Sequence, residues 1–528
     1  MADTIAPQDL NAVIEQKSAY ALIDVRDQGS YNGTHIPGSS SLPRHRIEFD
    51  ILSLVPFKGV KVVLCDDDGR QAILAAGTLE RMAYTSVSVL EGGINRWTSL
   101  DYPTEWGTNV PSKDFGERVE VEHRVPEIDS IELKARMERG EKLVILDTRT
   151  PEEYQNFCIP GGRSVPNGEL ALHITDILKD LDKDTTVIIN CAGRTRSIIG
   201  TRVLQRMGLP SVYGLKNGTA GWVLADLELE KGAQRLDLPQ VSPEGLATAE
   251  AYAAKAAAED GVRFMDVEEL QAAMNRRNQE TVYLIDVRRG EEYRKSHIPA
   301  FRWFPGGQAV QRSDDVAAVR NGTIIFTCDG KVRAPLVASW YRQMGFPNVY
   351  AVDGGTTAWA AQEGLPLEEG IPEQLPFGLT EAKNKVRFVS PRDLQRDQSP
   401  TVIFVDTSAN FASGHVPGSH WMPRGWLELQ IGDVAPTKDT PVTVTCTDGL
   451  NSALAGATLV DLGYRNVSVL ESGVAAWQRD GLPVEKGLTN VMTPPNDVVV
   501  MGPHRSYADT INYLRWEEAL GKKYEAKP

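Results

Sequence analysis

Four of the five cysteines in this 528-residue chain close the same kind of apolar run: Val62-Val63-Leu64-Cys65, Ile188-Ile189-Asn190-Cys191, Ile325-Phe326-Thr327-Cys328 and Val444-Thr445-Cys446. After Cys191 come Ala192-Gly193-Arg194-Thr195-Arg196-Ser197 and then a helical pattern with Ile199, Val203 and Met207. A short loop that curls from a strand end into a helix can turn several backbone N–H groups inward. Such a nest binds anions and stabilises a thiolate, and the helix dipole adds to it. The chemistry this suggests is a cysteine of depressed pKa acting as a nucleophile. Gly193 lets the backbone curl tightly, and Arg194 and Arg196 are expected to offer fixed positive charge to an oxyanion substrate.

The four loops differ in charge. The residues from Cys191 to Arg196 carry net +2 and Cys328-Asp-Gly-Lys-Val-Arg333 carries +1. Cys65-Asp-Asp-Asp-Gly-Arg70 carries −2, and Cys446-Thr-Asp-Gly-Leu-Asn451 carries −1. Carboxylates beside a cysteine disfavour its thiolate and repel an anionic substrate. Each is worth roughly 3 kcal/mol at 5–6 Å and an effective dielectric of about 20, before screening. Cys191 is therefore expected to be the catalytic thiol, with Cys328 second. The first and fourth repeats are expected to be scaffold.

The elements that must hold these loops repeat as well. A strand ending in Asp precedes each cysteine, at Asp24, Asp147, Asp286 and Asp406, and an Ile-Pro or Val-Pro step follows it. The Asp-to-Cys separations are 41, 44, 42 and 40 residues. A tryptophan follows each cysteine by 32, 31, 31 and 31 residues, at Trp97, Trp222, Trp359 and Trp477, each preceded by glycine. Regularity of this kind marks an internal repeat. Arg149, two residues after Asp147, is expected to brace the strand end and the loop as a supporting pair with it. Arg26 and Arg288 match Arg149, but the fourth repeat has Ser408 there.

Short β-branched runs alternate with helical patterns, which predicts an α/β fold with mainly parallel sheets covered by helices. The expected domains are 1–110, 120–235, 261–372 and 376–488. An Ala-rich linker helix occupies 240–260, and a tail spans 489–528. In that tail, Tyr507 to Leu520 reads as an amphipathic helix with Ile511 and Leu514 on one face. Such a helix packs on the body of the protein or, in a second reading, mediates a homodimer.

The formal charge of −15, without any Lys/Arg run, argues against nucleic acid and anionic membranes as partners. No apolar stretch is long enough to span a bilayer and the N-terminus shows no signal pattern, so a cytoplasmic protein is expected. An odd number of scattered cysteines and no CxxC pair argue against a disulfide framework or a zinc site.

Taken together, these motifs resemble the rhodanese family: the Asp-x-Arg strand end, the His-Ile-Pro-Gly step, the strand-ending cysteine with its six-residue loop, and the Gly-Gly-x-x-x-Trp element. The resemblance runs from about Ile5 to Leu488 and implies four tandem rhodanese-like domains, each a small mainly parallel sheet flanked by helices. It also implies a sulfurtransferase that uses a small-molecule sulfur donor such as thiosulfate, forms a cysteine persulfide, and passes sulfur to cyanide or a thiol. No metal or other cofactor is implied. Two alternatives stay open: a non-catalytic persulfide carrier, and a cysteine-based phosphatase or arsenate reductase. The phosphatase reading needs Arg six residues after the cysteine, whereas Arg196 is five after Cys191. Cys158 stands where other repeats have His35, His297 and His415, and reads as a packed substitute or as a resolving thiol.

Overall fold

The computed structural model describes residues 3–525 apart from 17, 398, 501, 503 and 504. Parts of the expected first and fourth domains and tail at these positions, with residues 1, 2 and 526–528, lie outside the described residues. Each repeat forms its own small sheet. In the second repeat the strands run Glu127–Ile128, Val212–Leu215, Thr186–Asn190, Leu143–Asp147, Arg163–Ser164 across the sheet, and every pairing is parallel. The third and fourth sheets repeat this order, and the first adds one antiparallel strand, Val319–Arg320, at its edge. Parallel sheets need both faces covered. Accordingly the central strand Thr186–Asn190 is buried from Val187 to Asn190, and helices occupy the sequence between strands.

The repeated tryptophans are core residues. Trp97 and Trp222 are 0% and 1% exposed. All four indole N–H groups donate to carbonyls six or seven residues downstream, those of Pro103, Glu228, Pro366 and Pro483. Truncating a buried tryptophan to alanine typically costs about 3–5 kcal/mol, so these positions hold the domains together. The histidines of the Pro step are structural too. Their Nδ1 atoms bond to the carbonyls of Tyr31, Tyr293 and Phe411, on whose rings they stack at 3.6–4.0 Å. Cys158 packs with Tyr154 and Ala233 in the same place.

The chain divides into two compact units. One comprises Met1–Thr108, Ala318–Arg320 and Glu373–Val499; the other comprises Asn109–Ala317, Asn321–Pro372 and Val500–Pro528. The first repeat thus packs with the fourth, and the second with the third. In the first unit the contact is reciprocal: Arg44 bonds Glu428 and the Gly425 carbonyl, and Arg424 bonds Glu48 and the His45 carbonyl. In the second unit, backbone meets backbone: a Cβ on Gly168 would come within 2.9 Å of the Gly307 amide nitrogen. The helix Pro243–Glu259, N-capped by Ser242, fills the interval predicted as a linker.

Two further helices belong to the second unit, Val110–His123 and Tyr507–Gly521. The latter is helical as expected, but its buried face differs from the predicted one. Thr510, Leu514, Glu517 and Gly521 are buried, while Ile511 is 36% exposed. The spacing of four, three and four residues follows one stripe of a helix. It contains a carboxylate because that stripe meets polar groups of the cysteine loop. No described helix is long and apolar enough to cross a membrane.

Candidate active site

Cys191 follows the strand Thr186–Asn190, and Ala192 to Arg194 lead into the helix Thr195–Arg206. The first amides of a helix have no partner within it, so they face the loop. The Gly-Trp element pins this loop from the other side. Gly218 sits at φ +51°, and a Cβ there would lie 2.2 Å from the Cys191 carbonyl oxygen. Without it, the Thr219 amide reaches that oxygen at 2.9 Å and the Ala220 amide reaches the Ala192 oxygen at 3.0 Å. Gly93, Gly355 and Gly473 make the same approach to Asp66, Cys328 and Cys446.

The Cys191 side chain is nearly enclosed, at 3% exposure. Its Sγ lies 3.6 Å from the Ser197 hydroxyl, which itself donates to the Arg194 carbonyl at 2.7 Å. Asp147 and Arg149 form the expected brace. Arg149 donates through Nε and Nη2 to Asp147 at 2.7–3.2 Å and through Nη2 to the Phe157 carbonyl. Asn190 adds a bond to Asp147.

The two loop arginines do not stand as the sequence suggested. Arg194 is 3% exposed and turns to Glu117, with bonds of 2.6 and 3.0 Å, and to Glu127 at 3.4 Å. Burial acts against its charge, but the Glu117 bond and the surrounding carboxylates raise its pKa. Burial also pushes Glu117 up to about 7, against the pull of Arg194. Arg196 forms a paired contact with Glu153 at 2.7 and 2.8 Å. It remains close enough to Cys191 for the thiolate to stabilise its charge. A net loop charge counted along the sequence misses these partners, because Glu117 and Glu153 come from other elements.

Sequence reasoning also missed the residues that roof the loop. Thr195 donates to Glu517 at 3.4 Å, and Glu517, Leu514 and Tyr513 surround Gly193 at 3.4–4.0 Å from the place of a Cβ. Burial and Glu517 raise the Tyr513 pKa well above its usual value, and the Cys191 charge adds to the effect. Lys113, 4% exposed, places its ammonium 4.8 Å from the Tyr513 ring and 5.0 Å from Trp516. Burial lowers its pKa to about 8. A tail helix more than three hundred residues downstream of the loop leaves no local signal that it would sit there.

The other three cysteines are set differently. Around Cys328, Sγ points at the Gly330 carbonyl at 3.4 Å, the partner of a neutral thiol. Burial and Asp329 raise its pKa, and Arg333 is held by Glu169, Glu292 and Asp329. Cys65 does not take the place that the sequence suggested: it pairs with Asp24 within the sheet as Asn190 does with Asp147, so Asp66 stands where Cys191 does and accepts from the amides of Gly69, Gln71 (2.7 Å) and Ala72 (3.4 Å). Burial, then Asp24, push this thiol well up. Cys446 receives the Gly449 and Ser452 amides at 3.1 and 3.3 Å, a formed nest, yet burial holds its pKa at about 11.

Four stretches of the chain, 6–100, 130–225, 266–362 and 391–480, match the rhodanese-like domain. The chain belongs to the rhodanese family. Along nearly its whole length it is similar to a thiosulfate sulfurtransferase from Pseudomonas aeruginosa of known structure. The identity is 33%, the TM-score is 0.89, and the match covers 99% of this chain and 98% of the other. Single domains are similar to shorter proteins. A sulfurtransferase from Allochromatium vinosum is 31% identical over 121 residues, which is 23% of this chain and 99% of that protein. The thiosulfate sulfurtransferase GlpE of Pseudomonas fluorescens is 32% identical over 107 residues, 20% of this chain and 94% of its own.

Proposed function

We propose that this rhodanese-family chain is a sulfurtransferase that accepts sulfane sulfur from thiosulfate on Cys191 and delivers it to cyanide or a small thiol. The Cys191 thiolate attacks the outer sulfur of thiosulfate. The S–S bond breaks and sulfite leaves with its electron pair, so that Cys191 carries a persulfide. Cyanide or a thiolate then attacks the terminal sulfur, and the Cys191 thiolate leaves. Each step exchanges one anion for another, so no external oxidant or reductant is needed, and catalysis is covalent and ping-pong.

The observation that carries this reading is the setting of Cys191 among the four loops. Its loop has no carboxylate of its own, ends in a helix N-terminus, and keeps Arg196 beside the thiol. The kinship with sulfurtransferases supports the class of reaction. The test is a peptide-mapped mass spectrum after brief exposure to thiosulfate without reductant. A gain of one sulfur atom on the Cys191 peptide is the expected result. A gain only on another cysteine would relocate the site, and no gain on any cysteine would reject thiosulfate as the donor.

A further inference from the structure

The loop arginines of the Cys191 site are each held by a glutamate, so the cation that meets an anionic donor must be sought elsewhere. The first domain shows where. Arg26 and Arg149 are equivalent and bond alike: Nε and Nη2 grip the strand-end aspartate, and Nη2 also reaches a carbonyl, of Thr34 or Phe157. The third guanidinium nitrogen therefore points the same way in both. In the first domain Arg26 Nη1 donates at 2.8 Å to Asp67, whose side chain is 54% exposed and whose carbonyl accepts the Asn95 amide as that of Ala192 accepts the Ala220 amide. In the second domain that residue is Ala192, and Arg149 Nη1 is buried with no hydrogen-bond partner among the described residues. The guanidinium lies over the Phe157 ring at 4.8 Å, and Glu153 lies in its field but bonds Arg196. A buried cationic donor without an acceptor costs free energy unless an anion completes it.

Resting on the sulfur-transfer reading of Cys191, we infer that Arg149 Nη1 is the donor-binding group of this site, taking the oxyanion end of the sulfur donor where Asp67 sits in the first domain. The acidic loop of the first domain then carries the substrate's charges as side chains. Asp66 takes the place of the cysteine in the amide nest, and Asp67 fills the arginine position that Ala192 leaves open. The ligand class is a small divalent or monovalent sulfur oxyanion.

Replacing Arg149 would unpair the buried Asp147, so the test moves the anion instead. Ala192 stands in the place of Asp67 and carries no charge. Ala192→Asp is expected to raise the KM for thiosulfate at least about tenfold, as expected for a carboxylate a few ångströms from the anion. Ala192→Asn, its neutral isostere, should raise it at least about threefold less at an equal melting temperature. A second readout needs no turnover: sulfate should protect wild-type Cys191 from iodoacetamide, and protection should vanish in Ala192→Asp but not in Ala192→Asn. Equal behaviour of the two variants, or no protection of the wild type, overturns the inference. If wild-type Cys191 gains no sulfur from thiosulfate while sulfate still protects as described, the donor assignment falls and the Arg149 site stands.

Discussion

In the first domain the Asp66 carboxylate stands where Cys191 stands in the second, and it gathers the backbone amides of Gly69, Gln71 and Ala72. Both loops start from the same strand end, and both are pinned by the same glycine–tryptophan element. A one-residue shift of the cysteine back into the strand therefore separates a nest that holds a carboxylate from one that holds a thiol. The lesson is that a rhodanese domain can keep its strand, its loop and its helix and still present no thiol at the loop. The fourth domain makes the point from the other side. Its amides do reach the sulfur of Cys446, but burial without a neighbouring loop cation keeps that thiol neutral.

The sharpest way to break this comparison is to remove the one thiol it favours. Cys191→Ala should cut thiosulfate:cyanide activity by about a hundredfold or more, as loss of a covalent nucleophile does. Retention of more than half would place the chemistry on another loop. Next in size is Ala192→Asp, which gives the second loop the carboxylate that Asp67 places in the first. With roughly 3 kcal/mol of unscreened repulsion per charge at this range, activity should fall at least about tenfold. An unchanged rate would show that the Asp67 contact is incidental.

A third variant asks whether Arg194 serves the donor or the fold. Arg194→Glu would place a further carboxylate among Glu117, Glu127 and Glu518. Breaking a buried ion pair in this way typically costs about 3–5 kcal/mol, so a clear fall in melting temperature is expected. Unaltered stability with a raised KM for thiosulfate would return Arg194 to the donor. The smallest effect separates the second and fourth loops. With its pKa at about 11, Cys446 is about one part in a thousand thiolate at pH 8. Its alkylation by iodoacetamide in the native protein should therefore climb steadily toward pH 11. A plateau near pH 8 would mean that the amide nest outweighs burial.

Much of the fold could be read from the sequence, because it is written four times. The strand-ending Asp147, the loop cysteine and Trp222 recur at nearly fixed spacing, and the structure makes of them a parallel strand end, a loop and a core tryptophan, although Cys65 falls inside its strand and Asp406 falls at the place of Arg149. The Asp147–Arg149 brace was legible for the same reason: its two members lie two residues apart. What was not legible depended on residues distant in the chain. The charge of Arg194 is set by Glu117, and the roof of the loop is set by Tyr513 and Glu517. Ile511 looked like part of the tail helix's packing face, but that face is decided by the polar loop it meets.

By itself the sequence determined the repeat and the family fold, because short-range patterning and burial of apolar strands and helices act on neighbouring residues. Only the tertiary structure decided that the first repeat packs with the fourth and the second with the third, that Asp66 rather than Cys65 stands at the loop of the first domain, that both loop arginines are neutralised, and that Arg149 keeps one donor without a partner among the described residues. The physical reason is that charge pairing and the filling of a backbone nest act through space over a few ångströms, whatever the separation along the chain.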